Sequence, residues 1–118
     1  MDLNSYLGIH AQALSLEAQR TEVLAANLAN VDTPNYKARD IDFKAALAAA
    51  GNGDTATSAT HAGAQLKYRV PLAPSLDGNT VDEQLEQAAF AENGVRYQAT
   101  LTFLNSRLRA LMTAITGQ

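Results

Sequence analysis

Two histidines are the residues of this chain best suited to metal binding or acid–base chemistry. His10 falls in a segment with helical spacing, and His61 falls in a polar stretch. The chain has no cysteine, and neither histidine has a cluster of carboxylates beside it in the sequence. A zinc site needs three or four nitrogen, sulfur or oxygen ligands together. We therefore expect structural or solvent-exposed roles for both histidines, and no metal site.

Acidic residues provide two weaker candidates. Asp40 and Asp42 could act as a carboxylate pair, and Asp77-Gly78-Asn79 faintly resembles a calcium-binding loop. The second lacks the regular oxygen ligands and the closing glutamate of an EF-hand. The simpler interpretations are a solvated segment in which an aspartate caps a helix, and a turn.

Nucleophilic catalysis has no support in the sequence pattern. Ser58, Ser75 and Ser106 all lack the G-x-S-x-G context of a nucleophile elbow. No glycine pattern for holding a phosphate is present either. Because no set of nucleophile, base and oxyanion donor can be assembled, we expect a protein that is not an enzyme and needs no cofactor.

Length and charge narrow the class of protein. A chain of 118 residues supports one modest domain. The net charge is −3 and the nine basic residues are scattered, so nucleic acid is not an expected partner. The first lysine or arginine is Arg20 and no long apolar run follows the start, so we expect no cleaved secretory signal. No apolar run approaches the roughly 18 residues of a membrane span.

The N-terminal third has the spacing of an amphipathic helix from Leu3 to about Asn30. The larger apolar residues of this stripe are Leu3, Leu7, Leu14, Leu24, Leu28 and Val31. Charge is limited to Glu17, Arg20 and Glu22, fewer than a solvated helix usually carries, so more than one face should be covered. The helix should end near Asn30, because a proline follows four residues later.

A short segment lies between this helix and the next. Asp40 or Asp42 can cap a brief helix over residues 43–50. Residues 51–64 contain no large apolar side chain and predict a mobile loop. Residues 65–70 alternate weakly in polarity and predict a short strand.

The C-terminal third predicts a longer helix over residues 81–116. It opens with a T-x-x-E capping box, Thr80 to Glu83. Gly94 is the weak point, because glycine costs about 1 kcal/mol relative to alanine inside a helix. One face carries Phe90, Tyr97, Leu101, Leu104, Leu108, Leu111 and Ile115. Both helices exceed the mean length of about 11 to 12 residues, which favours coiled-coil packing.

These elements predict a mainly α protein with one structural domain. Two long terminal helices form a coiled-coil-like hairpin over 1–36 and 80–118, around a short, irregular, β-containing middle segment over 37–79. Two helices alone cover only part of each apolar stripe, so we expect subunits to associate. The predicted subunit-packing residues are Leu7, Leu14, Leu24, Leu28, Leu101, Leu104, Leu108, Leu111 and Ile115.

Residues 24–43, LAANLANVDTPNYKARDIDF, closely resemble the N-terminal signature of flagellar rod and hook proteins, and in particular of proximal rod members. A second match covers Tyr68-Arg69-Val70-Pro71, residues 74–82 and the leucine-rich C-terminal helix. Together the matches span nearly all of the chain except residues 51–64, where the middle segment is short. The signature residues are Asn27, Asn30, Asp32, Thr33, Pro34, Tyr36, Asp40 and Asp42.

The resemblance implies a structural subunit of the proximal rod of the flagellar basal body, in the periplasmic space. Such a subunit would assemble helically through its terminal helices with itself and other rod proteins. It would transmit torque and extend the export channel from the inner-membrane ring, where ring or adaptor subunits are its neighbours. The resemblance also implies export through the flagellar type III export gate, without a cleaved signal.

Phe43 and Leu47 fit a Phe-x-x-x-hydrophobic pattern that resembles the gate-recognition motif of early flagellar substrates. The same spacing would also place two apolar residues on one face of an ordinary helical turn. For Asn27 and Asn30 there are likewise two interpretations, caps of the helix end or lateral hydrogen bonds between subunits.

Two other classes of function remain for comparison. One is a cytoplasmic helical-hairpin adaptor or regulator that binds a partner helix in a groove. The other is a cell-wall hydrolase acting near the rod, which would need acidic catalytic residues in a cleft. The sequence offers no support for the hydrolase.

Overall fold

The computed structural model describes residues 7–51, 66–71 and 74–117. The elements along these residues are α1 (Ile9–Ala29), β1 (Arg39–Ile41), α2 (Phe43–Gly51), β2 (Leu66–Tyr68) and α3 (Glu83–Thr116). His10 at the start of α1 contacts Phe103 in the second half of α3, and Asn27 near the end of α1 contacts Glu86 at the start of α3, so the two helices are antiparallel. The predicted fold class, two long terminal helices with a short β-containing middle, is confirmed.

Helix α1 begins directly after Gly8, whose φ of 64° is in the left-handed region that glycine tolerates. The predicted continuous helix from Leu3 is therefore interrupted at Gly8, and residues 1–6 lie outside the described part of the chain. The predicted end is confirmed, since Asn30 is the C-cap. Its side-chain Nδ2 donates to the carbonyl oxygen of Ala26 at 2.8 Å.

Helix α3 begins two residues later than the capping-box pattern predicts. Its N-cap is Asp82, whose side chain accepts a hydrogen bond from the Leu85 amide at 3.2 Å. The predicted Thr80 cap is wrong, because the Thr80 hydroxyl instead accepts a hydrogen bond from the Ala38 amide at 2.8 Å. Gly94 does not interrupt the helix, which continues for 34 residues.

The middle segment contains a two-stranded antiparallel sheet in which Asp40 pairs with Lys67. Strand β2 is shorter than the predicted strand over residues 65–70, and β1 was not predicted at all. Asp42 caps α2, since its Oδ1 accepts a hydrogen bond from the Ala45 amide at 3.2 Å. Gly51 is the last residue of α2 rather than the first of a loop, and 52–64 lie outside the described residues.

Helix α1 lies between α3 on one side and the middle segment on the other. Leu16, Ile41 and Ala46 form a buried apolar cluster between α1, β1 and α2. The partly buried side chains of Val23, Phe43, Leu47 and Leu66 pack against this cluster. The low charge of α1 thus reflects two covered faces within one chain. Among the described residues, no helix combines the length and the apolar character needed to cross a membrane.

Candidate functional site

The signature turn that follows α1 is held by the side chain of Asn79. Its Nδ2 donates to the carbonyl oxygens of Asn30, Val31 and Thr33 at 2.9, 3.0 and 2.7 Å. Its Oδ1 accepts from the Val81 amide at 2.7 Å. Carbonyls at a helix end have no partner within the helix. The two hydrogens of the Asn79 amide are shared among these three acceptors and tie the turn to the segment that leads into α3.

A close backbone approach completes this turn. The Asn35 amide donates to the Asp77 carbonyl at 2.9 Å, and Asn35 itself has a φ of 63°. Gly78 has a φ of 78°, and a Cβ at its position would lie 2.4 Å from Asn35 Oδ1. Asp77 Oδ1 accepts from the Asn79 amide at 3.1 Å. Residues 77–79 therefore form the expected turn, while the signature residues Asp32, Thr33 and Pro34 are exposed.

Asn27 is fully buried and bonded within its own chain. Its Nδ2 donates to the Arg39 carbonyl at 2.6 Å and to Glu86 Oε2 at 3.0 Å, and its Oδ1 accepts from the Arg39 amide at 3.1 Å. The Tyr36 hydroxyl also lies 3.4 Å from Asn27 Oδ1. Both interpretations offered for Asn27 are wrong, because its amide joins α1 to β1 and α3 inside one subunit. Asn30 does cap the helix.

Three ion pairs extend from Glu86, which is 0% exposed, to α1. Arg69 Nε lies 2.5 Å from Glu86 Oε1, and Arg69 Nη2 lies 2.8 Å from Asp40 Oδ2. Asp40 Oδ1 in turn accepts from Arg20 Nε at 2.9 Å. We call Arg20, Asn27, Asp40, Arg69 and Glu86 the polar clamp. It joins α1, β1, the residue after β2 and the first turn of α3.

The two aspartates of the middle segment have separate roles. Asp40 is not a solvated carboxylate, because it lies between Arg20 and Arg69. The hydrogen bond to Asp40 raises the pKa of Arg20, which keeps the guanidinium charged. The pKa of Asp42 is lowered, first by its hydrogen bond from Lys67 and then by the Ala45 amide. The two carboxylates thus bind different cations, and Asp42 is the aspartate that caps α2.

The polar clamp is suited to positioning rather than to reaction chemistry. Both of its carboxylates are engaged by arginine. Because removing two charges from water offsets much of their attraction, a buried ion pair adds little net stability. Within residues 7–51, 66–71 and 74–117, no three His, Cys, Asp or Glu side chains lie close enough to hold a metal ion. The clamp sets the position of the small sheet against the paired helices.

His10 has a structural contact near the other end of the helix pair. Its ring lies 4.3 Å from the ring of Phe103, centroid to centroid, with a 44° tilt. The Arg107 guanidinium lies 5.7 Å from the centroid of the same phenyl ring. His10 therefore packs between helices, as expected, while His61 lies outside the described residues.

The predicted packing residues differ in how far the chain covers them. Leu24 and Leu104 are buried, and Ile115 at the end of α3 is 76% exposed. The half-buried members of the set are Leu7, Leu14, Leu28, Leu101, Leu108 and Leu111. Leu16, which the predicted stripe omitted, is buried against the middle segment.

Sequence reasoning missed the buried polar residues of α3. Glu86 and Asn93 are buried, and Thr100 is half-buried. These three residues are spaced by seven, which places them on one helix face together with Leu104. Extending the leucine stripe toward the start of α3 would have found them, since the face continues although the residues become polar.

Sequence comparison covers nearly the whole of this architecture. A family model described as "Flagella basal body rod protein" matches residues 7–37, from the start of α1 through the signature turn. The flagellar basal body rod protein FlgB of Cereibacter sphaeroides is 53% identical over 121 residues, covering 95% of this chain and 94% of the relative. The chain belongs to the FlgB family of flagellar basal body rod proteins.

The similarity to FlgB proteins of two other bacteria also covers nearly the whole chain. FlgB of Salmonella typhimurium strain LT2 is 46% identical over 132 residues, covering 98% of this chain and 96% of the relative. FlgB of Escherichia coli strain K12 is 43% identical over 130 residues, with coverages of 96% and 94%. The resemblance read from residues 24–43 is thus confirmed, and the similarity extends over 95 to 98% of the chain.

Proposed function

We propose that this FlgB-family chain is a structural subunit of the flagellar basal body rod that assembles through the outward faces of α1 and α3. The family relationship carries the rod assignment, and relatives that span the whole chain give no support to a cytoplasmic adaptor. The role consists of packing alone and requires no catalytic group or cofactor. Torque would pass through these contacts, and the packed subunits would extend the export channel.

The observation that carries the assembly proposal is the apolar surface left open on the long helices. The exposed apolar residues of α1 and α3 are Ile9, Leu85, Phe90, Val95, Phe103, Met112 and Ile115. Leu104, on the same helix, is already buried within the subunit. Scattered single exposed residues are ordinary, but exposed apolar side chains along one rod-shaped helix pair favour coverage by neighbours.

The kind of contact follows from the shape of the subunit. The apolar end of α3, with Met112 and Ile115, lies far from the polar clamp at the other end of the helix pair. A neighbour that covers this end with a different surface of its own forms a heterologous contact, and such contacts build open helical arrays when the rotation does not close. Copies of this chain and other rod proteins would be the neighbours, with ring or adaptor subunits at the base.

Ile115→Asp is expected to prevent incorporation into the rod while leaving the folded subunit intact. Ile115 is 76% exposed, so a carboxylate there costs the monomer little but would become buried in an assembled contact. The measurement is recovery of the chain in detergent-extracted basal bodies, together with thermal unfolding of the purified subunit.

Thr113→Asp is the matched control, because Thr113 is exposed and points about 200° away around the helix. The control should be recovered in basal bodies at the wild-type level. Normal incorporation of Ile115→Asp would contradict assembly through the end of α3.

Export through the type III gate is the second part of the proposal. Phe43 and Leu47 lie in the first turns of α2 and pack against the Leu16, Ile41 and Ala46 cluster. A receptor could bind both side chains only before this packing forms. The gate would therefore recognise Phe43 and Leu47 in a chain that has not yet folded. The unfolded chain would then be exported to the periplasmic space.

Phe43→Ala is expected to reduce secretion several-fold while the intracellular protein level stays near that of the wild type. Truncating Phe43 also weakens the fold, so Val23→Ala serves as the control, since Val23 packs against the same cluster from α1. Quantitative immunoblots of culture supernatant and cells measure both. Equal secretion of the two variants would remove the export role from Phe43 and assign it to packing only.

A further inference from the structure

Glu17 is a buried acidic residue between the two long helices that the polar clamp does not use. It is 4% exposed, and its Oε1 accepts a hydrogen bond from the Thr100 hydroxyl at 3.0 Å. Its other carboxylate oxygen, Oε2, is buried and has no hydrogen-bond partner among residues 7–51, 66–71 and 74–117. An ionised carboxylate has about four acceptor sites. A single hydrogen bond from a neutral hydroxyl therefore offsets only a small part of the free energy lost when the carboxylate is removed from water.

Asn93 lies beside Glu17 and leaves a second buried acceptor open. Its Nδ2 donates to the Glu17 main-chain oxygen at 2.8 Å and to Thr21 Oγ1 at 2.8 Å. A carbonyl oxygen can only accept, so this contact fixes which end of the amide is the donor. Within the described part of the chain, Asn93 Oδ1 is then buried without a donor. The interface between the two helices therefore contains two buried acceptors that receive no hydrogen bond from these residues.

We propose that Glu17 is a proton-binding site of the folded subunit, in which a proton on Oε2 neutralises the buried carboxyl. The chain takes up the proton from solvent as α1 and α3 pack together. Mild acid therefore favours the packed helix pair, and ionisation of Glu17 loosens it. This site is independent of how the subunit assembles.

The charged groups around Glu17 oppose this protonation only in part. From α3, Arg96 acts on Glu17, but its Nη2 is also paired with Glu92 at 2.8 Å. On α1, Arg20 is committed to Asp40 of β1, and the one charged residue of α2, Lys44, is exposed. Burial raises the pKa of Glu17, while the Thr100 hydroxyl and then Arg96 lower it by less.

The raised pKa of Glu17 decides how the stability of the folded subunit changes with pH. Because the folded state binds the proton more tightly, the cost of ionising Glu17 is absent below the ordinary pKa of 4.5. The cost grows as the pH rises from there and is complete once the pH exceeds the raised pKa of the folded state. A neutral isostere should remove this loss of stability.

Glu17→Gln tests the site by thermal unfolding followed by circular dichroism, with Glu22→Gln as the control. Glu22 is exposed on the same helix. We expect Glu17→Gln to melt about 4 °C or more above the wild type at about pH 8, with a gap that narrows toward about pH 5. Glu22→Gln should follow the wild type at both values.

Infrared spectroscopy gives a readout that does not depend on stability. At about pH 5 the carbonyl stretch of neutral carboxylic acids should be stronger in the wild type and in Glu22→Gln than in Glu17→Gln, because the raised pKa lets Glu17 keep its proton where most carboxyls have lost theirs. A melting difference that is the same at both pH values, a Glu17→Gln protein no more stable than the wild type at the higher pH, or a carboxylic-acid band of equal strength in the wild type and Glu17→Gln would each overturn the proposal.

Discussion

Leu104→Asp should abolish rod assembly and swimming, with export of the subunit largely retained. Leu104 is 6% exposed within a single subunit, where α3 packs on α1. An uncompensated carboxylate in such a site costs several kcal/mol, a large part of the 5 to 15 kcal/mol that stabilises a typical domain. The expected result is displacement of α3, measured as loss of the chain from basal bodies and a lower urea midpoint.

Asn105→Asp is the matched control for this change, since Asn105 is the next residue along α3 and is exposed. Its free energy of unfolding in urea should stay within about 0.5 kcal/mol of the wild-type value. A Leu104→Asp strain that builds normal basal bodies and swims would refute the packing assignment of the leucine stripe.

Arg69→Met should destabilise the subunit by about 3 to 5 kcal/mol, because it leaves a buried charge without its partner. Glu86 is 0% exposed, and Arg69 is the cation that contacts it. Asp40 is less affected, since it keeps Arg20. The measurement is the free energy of unfolding in urea, and fluctuation of the small sheet should appear as faster amide exchange in β1 and β2.

Arg96→Met provides the control for Arg69→Met with the same change of residue type. Arg96 pairs with Glu92 on the surface, where both side chains are more than half exposed, so its loss should cost no more than about 1 kcal/mol. Adding Glu86→Gln to Arg69→Met should restore part of the stability by removing the unpaired charge. Equal effects of the two single substitutions would contradict the polar clamp.

Periodicity and turn chemistry predicted the long helices well, because those signals are local. Leucine spacing marked α1 and α3, and the polar residues around Pro34 marked the end of α1 near Asn30. Gly94 remains helical because one glycine costs only about 1 kcal/mol, which packing over a 34-residue helix can offset. The interruption at Gly8 has a positive φ, which sequence spacing does not report.

The errors arise where a side chain bonds to a distant part of the chain. Thr80 matches the pattern of a helix cap, but its hydroxyl accepts a hydrogen bond from the amide of Ala38, which is 42 residues away in the sequence. Strand β1 is defined by its pairing with β2. Its three residues are too few to show the alternation of apolar and polar residues that predicts a strand.

The burial of polar residues also depends on contacts with distant parts of the chain. Asn27 was interpreted as a cap or a subunit contact because it lies near a helix end, yet its partner Glu86 is 59 residues away. Glu17 and Asn93 were not singled out as buried, since each is polar and the buried face was identified by leucines. Their burial follows from the antiparallel register of α1 and α3, which no local pattern specifies.

A cryo-EM map of isolated basal bodies tests the central claim most directly. We expect density for this chain in the rod, with α1 and α3 paired and the exposed Phe103, Met112 and Ile115 covered by a neighbouring subunit. Absence of the chain from the rod, or a rod in which this end of α3 faces solvent, would contradict it.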